Sequence, residues 1–145
     1  MKNKQLPISS LICNFPGGDD GSGLMSHDQV ETFLHEFGHL LHHVFAAQQS
    51  WASFSGVATE WDFVEAPSQM LEEWIWDAST LKLFATNDKG ETIPDELIRK
   101  MNTTRYFSRG LWAKNQMFYA ATSLNYYNRD PESFELTSLM IEMQN

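Results

Sequence analysis

The sequence predicts a mainly α protein with a little strand near its front, and three observations carry that prediction. Apolar residues recur at helical spacing through two long stretches, 30–45 and 64–78. Helix-start signals stand at Ser26 to Asp28, at Pro94-Asp95-Glu96 and at Asp130-Pro131-Glu132. Strand-compatible residues run together at 8–15, ISSLICNF.

Taken in order, that run reads as a short strand, and PGGDDGSG at 16–23 reads as a surface loop. Ser26 with Gln29, and Asp28 with Glu31, have capping-box spacing, so a first helix begins there and runs to about Ala47. Its apolar stripe is Val30, Phe33, Leu34, Phe37, Leu41, Val44 and Phe45. A second helix is expected over about 60–85, with Val64, Leu71, Trp74, Ile75 and Ala78 on its apolar face and a start or kink at Pro67. NDKGET at 87–92 reads as a turn. Pro94 and the two acids after it suit the first turn of a third helix. A fourth fills 109–128, and Asp130-Pro131-Glu132 starts a fifth. The aromatic residues Trp51, Phe54, Trp61, Trp74, Trp76 and Trp112 are expected in the core.

The 145 residues make one domain's worth of chain, so 1–145 is read as a single domain. Ten Lys and Arg against nineteen Asp and Glu give a net charge of −9. That field repels phosphate backbones and anionic lipid, which argues against nucleic acid and membrane partners. No apolar run approaches the ~18 residues of a transmembrane helix. Lys2 and Lys4 precede an apolar stretch, but Pro7, Ser9, Ser10 and Asn14 interrupt it, so it is read as fold rather than signal peptide. A single cysteine, Cys13, excludes an internal disulfide framework and a cysteine-based zinc cage. It is compatible with a reducing compartment, and the expected location is cytoplasmic.

All five histidines fall between positions 27 and 43. His35-Glu36-Phe37-Gly38-His39 is an H-E-x-x-H motif. At about 100° per residue, with Val30 at zero, His35 falls near 140°, His39 near 180° and Glu36 near 240°. The two imidazoles lie one turn apart, opposite the apolar stripe, where both nitrogens can reach one zinc at about 2.0–2.1 Å. Glu36 flanks them, suited to handle a water's proton rather than to bind the ion. His42 and His43 face the same side. His35 to His43 spans about 12 Å of helix rise, too far for one ion, so His42 and His43 read as supporting or solvated residues. His27 reads as a cap residue. A catalytic zinc needs a third protein ligand, and the polar face of the next helix offers Asp62, Glu65, Gln69 and Glu72, any of which fits on pattern alone.

VETFLHEFGHLLH (30–42), FSG (54–56) and WDFVEAPSQMLEEWIWD (61–77), in that order, resemble the thimet oligopeptidase, neurolysin and oligopeptidase A family of zinc metallopeptidases. LICNF and SHDQVET upstream fit as well, and the resemblance covers positions 10–85. It implies a zincin-like helical core, one zinc ion per chain held by His35, His39 and Glu65, Glu36 as the catalytic base, and short peptides as substrates. Gln69 and Glu72, at i+4 and i+7 from Glu65, are candidates to orient the ligands. Phe54, Ser55 and Gly56 are candidate substrate contacts. Full members are several times longer and carry a downstream segment, rich in His, Gly and Tyr, whose tyrosines stabilise the tetrahedral intermediate. Tyr126-Tyr127 does not match it. The chain is therefore expected to be the metal-binding part of a larger catalytic domain, completed by the missing remainder or by self-association. The alternative expectation is a zinc-binding module of weak or absent activity.

Overall fold

The computed structural model describes residues 6–15 and 23–144, and it is mainly helical. Most of the loop expected at 16–23 lies outside the described residues. The chain divides into two compact units, Met1–Asn102 and Thr103–Asn145.

In the first unit, helix α1 spans His27–Phe45. Ser26 is its N-cap: its hydroxyl accepts the Gln29 N–H, and the Gln29 side chain accepts the Ser26 N–H at 2.8 Å. This closes the reciprocal box that satisfies two donors no helical turn can reach. The expected second helix is broken into pieces. Residues 61–65 form turns, α2 covers Ala66–Glu72, a 3-10 turn covers Glu73–Trp76, and α3 covers Ala78–Phe84. Both breaks have local causes. Pro67 sits in the first turn of α2, where its missing N–H costs nothing. Asp77, in extended geometry, accepts the Thr80 N–H at 2.8 Å and so starts a new helix.

The expected turn joins α3 to α4, which spans Asp95–Thr104. Asn87 organises it by accepting the N–H groups of Lys89 and Glu91, and Gly90 takes the left-handed conformation at φ 75°. Ile75, Leu81 and Ile98 form the buried core, with Val30, Leu34, Trp76 and Ile93 against it.

The second unit contains α5 (Arg109–Tyr127), a 3-10 turn (Pro131–Ser133) and α6 (Leu136–Gln144). The Tyr126 hydroxyl donates to the Leu136 carbonyl at 2.9 Å and its ring stacks on Phe134. Among the described residues, no helix is long and apolar enough to cross a membrane.

Two further expectations are corrected. Residues 6–15 form no strand; among the described residues the only β pairing is an isolated bridge between Thr86 and Thr92. A strand exists through hydrogen bonds to a neighbour, and among the described residues no second strand lies beside 8–15. The expected aromatic core is also absent: Trp51, Phe54, Trp61, Trp74 and Trp112 are exposed, Trp61 to 91%, and only Trp76 is partly covered. The pieces of the second segment lie against α1, and Trp51, Phe54, Trp61 and Trp74 stay at the surface.

Candidate metal centre

The site is built where α1 meets α2, and α1 meets α2 with its polar face. Gly38 is the one fully buried residue of α1, whereas Phe33 and Phe45 of the apolar stripe are exposed. A Cβ at Gly38 would lie 2.5 Å from the Cα of Ser68 and 2.8 Å from the carbonyl oxygen of Pro67. Only glycine therefore lets the first turn of α2 rest on α1. His35 and His39, on either side of Gly38, then face the residue that precedes α2, Glu65.

Oε2 of Glu65 stands 3.2 Å from Nε2 of His35 and 3.1 Å from Nε2 of His39. One ligand atom from each residue lies within 4.8 Å of the others. An ion bound at about 2.0–2.1 Å in tetrahedral geometry spaces its ligands by about 3.3 Å, so the donor types and the two separations from Glu65 fit a zinc ion. The Ser68 hydroxyl, 2.8 Å from the same Oε2, is the main cause that holds the Glu65 carboxyl below its ordinary range; His39 and His35 act in the same direction.

Behind His35, Oε1 of Glu72 lies 2.6 Å from Nδ1. A neutral imidazole has one N–H, and a carboxylate only accepts. With that proton on Nδ1, the Nε2 lone pair of His35 points at Glu65. A lone pair facing a carboxylate oxygen at 3.2 Å calls for positive charge between them or on the ring. Gln69, the other candidate to orient a ligand, is exposed. His39 differs from His35, since its Nδ1 is buried without a hydrogen-bond partner among the described residues.

Glu36 is not one of the three converging groups. It lines a depression of about 250 Å³ with Ser9 to Ile12, His39, Leu40, His43 and Val57. The 9–12 segment, although not a strand, thus lies along the edge of the site. Phe54, Ser55 and Gly56 do not line this depression. Phe54 is exposed, while Gly56 is buried at φ 81° against the His43 ring. His42 meets Phe63 edge to face, and His27 meets Trp76 in the same way; both stand apart from the three converging groups. Asp62, a candidate third ligand on pattern, is likewise outside that group.

A family model, that of peptidase family M3, matches residues 1–145, the whole chain. The chain belongs to peptidase family M3. It is 34% identical over 143 residues to the mitochondrial intermediate peptidase of Arabidopsis thaliana, covering 97% of this chain and 20% of that protein. Against oligopeptidase A of Escherichia coli (strain K12) it is 37% identical over 116 residues, 78% of this chain and 17% of the relative. Against saccharolysin of Saccharomyces cerevisiae it is 36% identical over 119 residues, 80% and 17%. The M3 chain thus spans about a fifth of the length of these relatives.

Sequence reasoning passed over Gly38 and Ser68. A signal for Gly38 was available, since a glycine inside a strongly helical pattern marks a close packing contact. Ser68 gave none, because a serine near a helix start is ordinary.

Proposed function

We propose that this M3 chain is the metal-binding part of a zinc-dependent oligopeptidase with a zincin-like core, acting on short peptides. One observation carries the reading: a single carboxylate oxygen faces two imidazole nitrogens at 3.1 and 3.2 Å, with a Glu72 carboxylate oxygen 2.6 Å from the other nitrogen of one ring. Carboxylate-backed histidines of this kind are typical of metal ligands.

His35, His39 and Glu65 would hold one zinc ion. When bound, zinc polarises a carbonyl and lowers the pKa of water to about 7. Glu36 takes a proton from the attacking water as the new C–O bond forms, and delivers it to the amine nitrogen as the C–N bond breaks. Positioned proton transfer of this kind contributes about 10²–10⁴-fold. The depression beside Glu36 and the 9–12 segment receives the peptide.

The uncovered aromatic residues, Trp51, Phe54 and Trp61 above all, support a partner surface filled by the remainder of a catalytic domain or by a second copy. One relative is named a probable cytosolic oligopeptidase A and others mitochondrial or chloroplastic; the cytoplasm is the location we propose here.

Elemental analysis of purified chain should find one zinc per chain, lost in Glu65→Ala and kept in Glu36→Gln. A fluorogenic peptide should be cleaved in a chelator-sensitive manner that Glu36→Gln abolishes. Wild-type protein without zinc would refute the proposal. Bound zinc without turnover would leave a non-catalytic zinc module.

A further inference from the structure

We propose that Ser68 is a positioning residue, whose hydroxyl holds Oε2 of Glu65 at the point where it faces both His35 and His39. The inference rests on the metal-binding reading and names the group that presets its third ligand. Three observations meet at this residue. Ser68 is the one fully buried polar side chain among the described residues, at 0% exposure. Its Oγ lies 2.8 Å from Oε2 of Glu65, the same oxygen that faces the two imidazoles, and 2.9 Å from the Glu65 carbonyl. Its Cα rests on Gly38 of α1, the helix that carries both histidines.

A buried serine near a helix start usually bonds a nearby backbone carbonyl, and that alone would make Ser68 structural. A hydroxyl has one proton, and here a charged acceptor competes for it. Bonds to ionised acceptors are the stronger ones, so the carboxylate takes it. Glu65 needs such a partner: its side chain is about half exposed (49%), and an exposed glutamate loses rotamer freedom when it is held in one place. The backbone of Ser68 is fixed against α1, so its hydroxyl sets the reach of Glu65 relative to the two histidines. The carboxylate then waits in ligand geometry rather than being ordered by the ion.

The test is a double-mutant cycle on zinc affinity, measured by competition with a chelating indicator. The chains compared are wild type, Ser68→Ala, Glu65→Ala and the double variant, with zinc raised to reach the weaker remnant site. Loss of a partner that orients a ligand typically weakens metal binding 10–100-fold. Ser68→Ala should lose that much in the wild-type background and less than about twofold in the Glu65→Ala background. Thermal unfolding of the metal-free forms reports any general packing defect. If Ser68→Ala does not fold, Ser68→Gly, which also removes the hydroxyl and adds no second metal ligand, should show the same background-dependent loss. Equal losses in both backgrounds, or an affinity within about twofold of wild type, would overturn the assignment. A wild-type chain that takes up no zinc would remove the metal reading itself, and this inference with it.

Discussion

Helices α1 and α5 are both nineteen residues long, and they are held in different ways. Helix α1 begins on a reciprocal capping box, buries Gly38 against a neighbour and carries the histidines that meet Glu65. Helix α5 begins at Ser108 in the left-handed conformation, φ 59°, with no side-chain cap, and none of its residues is fully buried. Leu111, Met117, Leu124 and Tyr127 of α5 are exposed. Helical sequence alone is therefore a weak guide to function. What distinguishes α1 is that its start, its seat and its side-chain partners are each separately determined. A ligand set must be held to within a fraction of an ångström, and independent restraints of this kind supply that.

The glycines of the two helices test this directly. A Cβ at Gly38 meets the backbone of α2, which cannot yield as a flexible side chain can, whereas a Cβ at Gly110 meets nothing within 4 Å. Gly38→Ala should therefore destabilise the chain by about 1–3 kcal/mol, the usual cost of overpacking. By displacing α2 it should also reduce zinc uptake. Gly110→Ala should stabilise by up to about 1 kcal/mol, because alanine loses less backbone freedom in a helix. Urea unfolding of both variants, with zinc stoichiometry for the first, checks the pair. If both changes had the same sign, the seat of α2 on Gly38 would not be a constraint.

The start of α1, its end (expected near Ala47, found at Phe45) and the one-turn spacing of His35 and His39 were legible, because capping and helical periodicity are local properties. The pairing with Glu65 was not legible from pattern, since four polar residues shared one expected face; the family resemblance chose among them. The start of α2 at Pro67 was legible, as one of two expected outcomes there, but the run to 85 as one helix was misread, because the apolar spacing persists through the break set by Asp77. Both residues are recognisable start signals, and they outweighed the periodicity. The strand at 8–15 and the aromatic core were misread for a shared reason. Each depends on a second surface, and composition reports the wish for a partner without showing that one is present. Helix α1 packs with two faces, of which one was foreseen: Val30 and Leu34 of the apolar stripe lie against the core, while the histidine face, relieved by Gly38, seats α2 and leaves Phe33 and Phe45 exposed.

The smallest expected effects lie at the two serines that begin these helices. Ser26 accepts the Gln29 N–H in extended geometry, so Ser26→Ala should cost about 1 kcal/mol, while Ser26→Gly should cost only a few tenths. Ser108 makes no cap bond and holds a left-handed φ. Ser108→Ala then removes no interaction and keeps the same backbone strain, so it should be close to neutral. Ser108→Gly relieves a left-handed strain of about 1–2 kcal/mol and adds about 0.5–1 kcal/mol of unfolded-state freedom. The difference is a net gain of roughly 0.5–1 kcal/mol. Alanine should thus separate the two positions by its cost at 26, and glycine by its benefit at 108. Matched urea midpoints for the four variants decide it. Equal alanine costs would mean that the box at Ser26 contributes nothing to α1 beyond what α5 manages without one.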